Sequence, residues 1–269
     1  MDERAGDAVV AGDAAVGPAD RFGSLIERND GADFPYYAGK PVGLSSGQWA
    51  LAWAAVAVGF AALVLIPTSD NIGMLVPRIL FVTIPLVVLG WVSRNHWQAL
   101  FRRVTGRDVG LMIGFAVLNL LVTVVLAFVV NALFGSATNQ AAEDAGKGGA
   151  VDTVAFFVGT GFQLVGEEVF TVIPFLAVLY FAVAKAGLSR RNAILLAWLV
   201  SSLWFAAAHL PTYDWNFAQA FVVIGGARII LTLAYIRTKN LAVSAGAHII
   251  NDWTLFGQAV ATNAALTLL

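Results

Sequence analysis

Apolar residues run along this chain in long blocks separated by short polar segments, a pattern typical of helices that cross a membrane. A helix needs roughly 20 apolar residues to span the hydrocarbon core of a bilayer. Blocks that approach this length cover residues 49–66, 74–92, 110–134, 153–184, 193–208, 217–236 and 241–260. The pattern therefore predicts an all-α, polytopic transmembrane helical bundle with about seven spans.

The region before the first block differs in character. Residues 1–45 are a mixture of acidic residues, Gly and Ala, and they lack the apolar run behind a basic start that marks a signal peptide. A segment with so little apolar content cannot build a core. We therefore predict a disordered cytoplasmic tail over 1–45 and a transmembrane domain over 46–269.

Positive charges in the connections predict the orientation, because cytoplasmic loops carry an excess of Lys and Arg. Three alternate connections are basic: 93–108, 185–191 and 237–240. The other connections hold almost no positive charge. Counting 153–184 as one crossing, this alternation predicts a cytoplasmic N-terminus and seven crossings.

The block 153–184 is long for a single span. As a straight helix it would run about 48 Å, against a hydrocarbon core of about 30 Å. Pro174 lies inside it, and a proline removes a helical hydrogen bond and bends the helix. We expect one long helix there that is kinked or broken.

Composition narrows the function classes. The chain is 59% hydrophobic and 12% charged, with a mean hydropathy of +0.77, so lipid is its solvent. It contains no Cys, which excludes disulfides, thiolate nucleophiles and Cys-bound metals. The net charge of −1 and the absence of a basic stripe argue against a nucleic-acid partner.

Ionisable residues inside predicted spans mark candidate chemistry, because they are costly in lipid. Glu167 and Glu168 are adjacent, with Arg228 and the pair His248 and Asp252 on later spans. On a helix, neighbouring side chains point about 100° apart. One carboxylate of the pair can therefore face a cavity while the other binds a neighbouring helix.

The histidines allow two interpretations. His248 and Asp252 are four residues apart and share a helix face, so Asp252 either orients a functional imidazole or forms a hydrogen bond that only fixes packing. His209 lies where a span meets a loop and is either a functional group or a helix-end residue. Three such sites in one membrane chain favour convergence around a shared water.

Three short motifs occur in a characteristic order. They are Gly166-Glu-Glu-Val-Phe170, Phe205-Ala-Ala-Ala-His209 and His248-Ile-Ile-Asn-Asp252. In this order they resemble the CPBP family of intramembrane metalloproteases, which includes CAAX prenyl proteases, bacteriocin-processing proteins and Abi proteins. The resemblance covers about 150–255 and implies an endopeptidase that cleaves a membrane-associated peptide or protein.

The resemblance also implies roles for the residues. Glu167, assisted by His209, would activate a water, and His248 with Asp252 would stabilise the oxyanion. Glu168 would position a partner. Since the family is usually described as metal-dependent, Glu167, His209 and His248 are candidate ligands of a divalent metal such as zinc; the sequence also allows a metal-free mechanism.

Two positions depart from the family pattern. The family's first motif is Glu-Glu-x-x-x-Arg, and Val172 occupies the Arg position; the partner then comes from elsewhere, Glu168 is protonated, or activity is lost. We hypothesise that Arg228 pairs with Glu168. Asp252 replaces the family's Asn and, when ionised, accepts hydrogen bonds but cannot donate them.

Alternative functions stay open at this level. A degenerate family member could act as a non-enzymatic immunity or scaffold protein, and Val172 favours that interpretation. A proton-coupled transporter lacks support from paired inverted halves. The composition favours a bacterial plasma membrane. His209 lies near one end of its span and His248 near the other end of its own. The two meet only if the last helix begins deep in the membrane at Leu241, or if one of the predicted span boundaries is wrong.

Overall fold

The computed structural model describes residues 20–139, 145 and 149–266. Seven long α-helices and no strand make up this described part: α1 Ser46–Leu65, α2 Leu75–Val92, α3 Gly106–Phe134, α4 Ala150–Ala184, α5 Arg190–Ala208, α6 Gly225–Thr238 and α7 Leu241–Leu266. A π-helical turn, Gln219–Ile224, leads directly into α6. The predicted all-α bundle is confirmed.

The helices are suited to a bilayer. Six are long and apolar enough to cross a membrane, namely α1 to α5 and the continuous segment Gln219–Thr238. Helix α7 has 26 residues but carries the polar residues His248, Asn251 and Asp252 and is not among these six. The protein is a multi-pass membrane protein, and length and composition support six of the seven predicted crossings.

Helix α4 lies at the centre of the bundle. It packs against α1, α2, α5 and α7, while α3 packs against α6 and α7. Two glycines on α4 face α2: a Cβ atom on Gly159 would lie 2.5 Å from Nη1 of Arg78, and one on Gly166 would lie 2.5 Å from the Phe81 ring. Such distances are far inside van der Waals contact, so a larger residue at either position would displace the side chain of Arg78 or of Phe81.

Of the two alternatives expected for this long central helix, kinked or broken, the structure excludes the break. Helix α4 runs without interruption through 35 residues, with Pro174 inside it. Pro174 and its neighbours are buried in the bundle, where packing on all sides holds the helix across the missing hydrogen bond. The Glu167–Glu168 pair therefore lies on one continuous helix.

The predicted disorder of 1–45 needs a correction over its described part. Residues 20–45, which we call the N-terminal cover, pack on the bundle, whereas 1–19 lie outside the described residues. Phe34 and Tyr36 are only 3% and 1% exposed, and the Phe34 ring lies 5.3 Å from that of Phe175. Aromatic residues at short spacing supply the apolar contacts that the average composition of the segment conceals.

The N-terminal cover is also held by a buried ionic cluster. Glu27 accepts hydrogen bonds from Arg190 Nη2 at 2.7 Å and from Lys239 Nζ at 2.5 Å, and Asp33 accepts from Arg190 Nη2 at 2.6 Å. Burial opposes the ionisation of Glu27, but the hydrogen bonds from Arg190 and Lys239 outweigh it and lower its pKa to about 2. These contacts anchor the cover to α5 and to the α6–α7 connection.

Candidate active site

Residues from four parts of the bundle meet around one cavity of about 460 Å³. Glu167 comes from α4, His209 from the end of α5, Arg228 from α6, and His248 and Asp252 from α7. Polar groups concentrated in a cavity of an otherwise apolar bundle are the usual sign of a functional site. The structure thus brings the predicted site residues together.

The depth problem raised by the sequence has a structural answer. Lys239, Asn240 and Leu241, which connect α6 to α7, are 2%, 2% and 0% exposed, and Lys239 is bound to Glu27 of the N-terminal cover. Helix α7 therefore begins beneath an additional layer of protein. This places His248, two turns further along, at the level of the cavity.

Glu168 is the fully buried member of the carboxylate pair. Its Oε1 lies 2.7 Å from Nη2 of Arg228 and accepts a hydrogen bond from Nδ1 of His248 at 2.9 Å. The hypothesis that Arg228 pairs with Glu168 is confirmed. Val172 is meanwhile packed in the core, so in this chain a cation from α6 serves the carboxylate of α4.

Glu167 points the other way, into the cavity. One of its oxygens accepts a hydrogen bond from Nε2 of Gln163 at 2.9 Å, and Gln163 Oε1 accepts one from Nε of Arg78 at 3.1 Å. The second oxygen lies 3.7 Å from Nε2 of His248. The separation of the two carboxylates into a cavity group and an interhelical group, expected from their 100° offset, is what the structure shows.

The two histidines are oriented by different partners. His209 caps α5, and its Nδ1 donates to the carbonyl of Phe205 at 2.9 Å, so in the neutral ring Nε2 is left as an acceptor. His248 directs Nδ1 to Glu168. Its Nε2 lies 3.6 Å from Oδ2 of Asp252, between two carboxylates of the cavity.

Asp252 has a neighbour that the sequence analysis did not use. Asn251 is 6% exposed and donates from Nδ2 to Oδ1 of Asp252 at 2.8 Å. Both residues line the cavity. The amide of Asn251 thus fixes the carboxylate at the position where the family carries Asn.

The sequence analysis also missed three other polar residues of the site. Gln163 lies four residues before Glu167, and that spacing alone places them on one helix face. Arg78 and Tyr213 come from α2 and from the turn after α5, and only the tertiary structure brings them near Glu167. Tyr213 is buried, and this burial, together with the charges of Asp252 and Glu167, raises the pKa of its hydroxyl.

The residues do not form a preassembled metal centre. Within the described ranges, no three His, Asp or Glu side chains are arranged to hold a metal ion. His248 Nδ1 is engaged with Glu168, and His209 directs one nitrogen to a backbone carbonyl. The candidate ligand set of Glu167, His209 and His248 stays a prediction.

A second cavity, of about 660 Å³, adjoins the first. It shares Glu167, His209 and Phe205 with the polar cavity. Its remaining walls are mainly apolar side chains of α1 and of the α1–α2 connection, among them Phe60, Leu63, Leu65, Ile66 and Met74. A polar and an apolar cavity therefore meet at Glu167.

Comparison with known families supports the motif-based resemblance. Residues 149–254 match the family model described as type II CAAX prenyl endopeptidase, Rce1-like. This segment contains every predicted site residue and is similar to the CAAX-type intramembrane protease family. No curated protein and no solved structure matches the chain.

Proposed function

We propose that this chain, whose residues 149–254 resemble a CAAX-type intramembrane protease domain, is an endopeptidase that hydrolyses a peptide bond of a membrane-associated peptide or protein. The observation that carries the proposal is the position of Glu167. Its carboxylate is 9% exposed, lies on the cavity and has imidazoles on two other helices around it. That is the arrangement needed to activate a water in a water-poor site.

Glu167 is the general base of the proposed mechanism. It removes a proton from a water, whose oxygen then adds to the carbonyl carbon of the substrate. Gln163, backed by Arg78, fixes one carboxylate oxygen by a hydrogen bond, so the other oxygen is presented to the water. Glu167 returns the proton to the nitrogen of the leaving amine as the C–N bond breaks, with the acceptor nitrogen of His209 assisting the transfer.

His248 is the electrostatic partner of the reaction. Arg228 pairs with Glu168, and Glu168 in turn accepts a hydrogen bond from Nδ1 of His248. These contacts fix the orientation of the buried imidazole ring, as the acid of a catalytic triad does for its histidine. Nε2 is then directed towards the reacting groups. An imidazolium in this position stabilises the negative charge that develops on the substrate oxygen.

The paired cavities suggest how a substrate is received. The apolar cavity between α1, α2, α4 and α5 suits an apolar side chain or lipid-soluble portion, while the polar cavity receives the scissile peptide group. Both reach Glu167, so the substrate is cleaved where these environments meet. We further propose a cytoplasmic N-terminus and a bacterial plasma membrane, in line with the distribution of loop charges.

The alternative is a non-enzymatic family member that acts as an immunity or scaffold protein. Val172 at the position of the family's Arg favours it. The Arg228–Glu168 ion pair weakens this argument, since a cation still neutralises the buried carboxylate. A metal ion as a further component of the site is retained as a proposal without a role in the steps above.

The test uses purified protein in phosphatidylcholine vesicles and a quenched fluorescent library of single-span apolar peptides. We expect cleavage by the wild type and a loss of roughly 10³-fold in Glu167→Gln, within the range for removal of a general base. His248→Ala should be similarly impaired. Asp152→Asn is the matched control: it removes an acid from the same helix, and within the described residues Asp152 binds the α1–α2 connection through Asn71. Equal activity of Glu167→Gln and wild type would exclude the proposed mechanism.

A further inference from the structure

Tyr213 lies in the turn that follows His209, and its side chain is 5% exposed. The 3-10 turn Pro211–Tyr213 is followed by Asp214 and Trp215, whose φ angles of 50° and 59° are left-handed. Such conformations are uncommon for residues other than glycine and cost free energy. The surrounding contacts therefore hold this turn, and with it Tyr213, in one place.

The phenol ring reaches the catalytic cavity. Tyr213 lines it together with Glu167, His209, His248 and Asp252. Unlike Glu167 and His248, it comes from a connection between helices and not from a predicted span. This connecting segment thus contributes two neutral O–H groups to the cavity, those of Thr212 and Tyr213, and of the two only Tyr213 is buried.

The proton of the Tyr213 hydroxyl is available for a hydrogen bond to a substrate. Its oxygen accepts a hydrogen bond from Nδ2 of Asn139 at 3.3 Å. Within the described part of the chain, no residue accepts a hydrogen bond from the proton of this hydroxyl. A tyrosine whose lone pair is occupied by an amide is oriented and still able to donate.

Three of the other donors that line the cavity are already directed at carboxylates. Gln163 donates to Glu167 and Asn251 donates to Asp252. Arg228 is paired with Glu168. A donor that already binds a carboxylate is poorly placed to bind a substrate oxygen on which negative charge develops. Among the described residues, no carboxylate accepts a hydrogen bond from the Tyr213 hydroxyl.

A neutral hydrogen-bond donor complements the imidazolium of His248 in stabilising an oxyanion. Asp252, an ionised acceptor, cannot hold an oxyanion, and Nε2 of His248 lies between Asp252 and Glu167 at 3.6 and 3.7 Å. Burial, followed by the charges of Asp252 and Glu167, raises the pKa of Tyr213. The phenol therefore keeps its proton at neutral pH and beyond.

We propose that Tyr213 is a catalytic residue whose hydroxyl donates a hydrogen bond to the carbonyl oxygen of the scissile peptide and to the oxyanion formed from it. The inference rests on the peptidase function proposed above. As the water oxygen bonds to the carbonyl carbon, the electron pair of the C=O bond moves onto the oxygen that Tyr213 contacts. The phenol keeps its proton throughout, because Glu167 takes the proton of the water and returns it to the leaving amine.

The first test compares Tyr213→Phe with the wild type on the best substrate of the peptide library. We expect kcat to fall about 100-fold, as for removal of one oxyanion donor, while KM stays within about twofold because the hydroxyl acts mainly in the transition state. Tyr180→Phe is the matched control. Tyr180 is partly buried on α4, and its ring packs on Trp49 at 6.0 Å, away from the cavity.

A second variant keeps the shape of the side chain and changes only its acidity. Replacement of Tyr213 by 3,5-difluorotyrosine should preserve activity at neutral pH and move the alkaline limb of kcat to lower pH. A phenol with a purely structural role would leave that limb unchanged. This measurement also decides the question if Tyr213→Phe does not fold.

Two results would overturn the inference in different ways. If Tyr213→Phe turns over within about threefold of the wild type, while Glu167→Gln is inactive, Tyr213 is not a catalytic residue and the peptidase function stands. If the wild type cleaves no more of the library than Glu167→Gln does, the peptidase function fails, and the role of Tyr213 fails with it.

Discussion

The ionic cluster beneath the N-terminal cover and the one beside the cavity are both buried, yet they differ in how completely their polar atoms are paired. Both oxygens of Glu27 are occupied: Arg190 and Lys239 bind Oε1, and Arg190 and the backbone N–H of Phe22 bind Oε2. Near the cavity, Oε2 of Glu168 and Nη1 of Arg228 have no hydrogen-bond partner among the described residues.

The difference distinguishes a cluster that stabilises the fold from a cluster that lies beside the candidate active site. A buried network that is fully satisfied rigidifies a fold, whereas incompletely paired groups carry a free-energy cost that is retained where function needs them. The cluster of the cover fixes the α6–α7 connection. The cluster of the cavity holds His248 by one nitrogen and leaves the other directed towards Glu167 and Asp252.

The largest combined effect on stability and activity is expected for substitution of Arg228. This residue belongs to the cavity cluster and is as deeply buried as Glu27 of the cover cluster. Arg228→Leu leaves Glu168 as an unpaired buried charge, so we expect a loss of about 4 kcal/mol in unfolding free energy. Because Glu168 then no longer orients His248, kcat should fall roughly 100-fold. Thermal unfolding in detergent and peptide cleavage measure the two effects.

Two further variants control for this change. Arg228→Lys keeps the charge but loses the planar fork of the guanidinium, and should fold with a smaller loss of activity. Arg103→Leu makes the same change at an exposed position and should leave both measurements unaltered. Wild-type activity and stability in Arg228→Leu would show that the ion pair has no role.

Glu27→Gln tests the cover cluster, and we expect it to change stability without changing the cleavage rate. We expect it to cost about 3 kcal/mol of stability, since Arg190 and Lys239 lose a shared buried counter-charge. Folded protein that remains should cleave peptides at the wild-type rate. Asp30→Asn is the control on the same segment: its ion pair with Arg102 is exposed and contributes at most about 1 kcal/mol.

The pH dependence of stability sharpens the same test. The pKa of Glu27 is held at about 2 in the folded protein against 4.5 for the free side chain, so its contribution is fully present above pH 4.5 and is lost as the pH falls towards 2. Melting curves across this window should show a decline in the wild type that Glu27→Gln lacks. Parallel curves for the two proteins would contradict the role assigned to Glu27.

The same contrast explains what the sequence could predict. Hydropathy blocks located the helices, and the costly ionisable residues Glu167, Glu168, Arg228 and His248 located the site, because lipid penalises such groups wherever they have no purpose. The N-terminal cover was missed because its few aromatic residues are diluted by Gly and acidic residues. Local composition does not predict order in a segment that is stabilised by contacts with helices distant in the sequence.

Tyr213 and Arg78 were missed for a related reason. Tyr213 lies in a connection, where a tyrosine is unremarkable, and Arg78 lies near the start of a span, where a basic residue commonly reaches the headgroups. Only the packing of α2 on α4, permitted by Gly159 and Gly166, carries Arg78 to Gln163. The distances between packed helices determine which side chains form such networks. These distances cannot be predicted from a single sequence.

The smallest effect is expected for matched changes of one carboxylate in each cluster. Asp252→Asn removes a charge 3.6 Å from Nε2 of His248 and introduces the amide that the related motif carries, so activity should stay within about tenfold of the wild type. Asp33→Asn removes one acceptor of Arg190, which keeps Glu27, and should lower stability by about 1 kcal/mol without changing kcat. Abolished cleavage in Asp252→Asn would mean that its negative charge takes part in the reaction, and a reduced kcat in Asp33→Asn would mean that the cover reaches the site. Either outcome would remove the division between a structural and a chemical cluster.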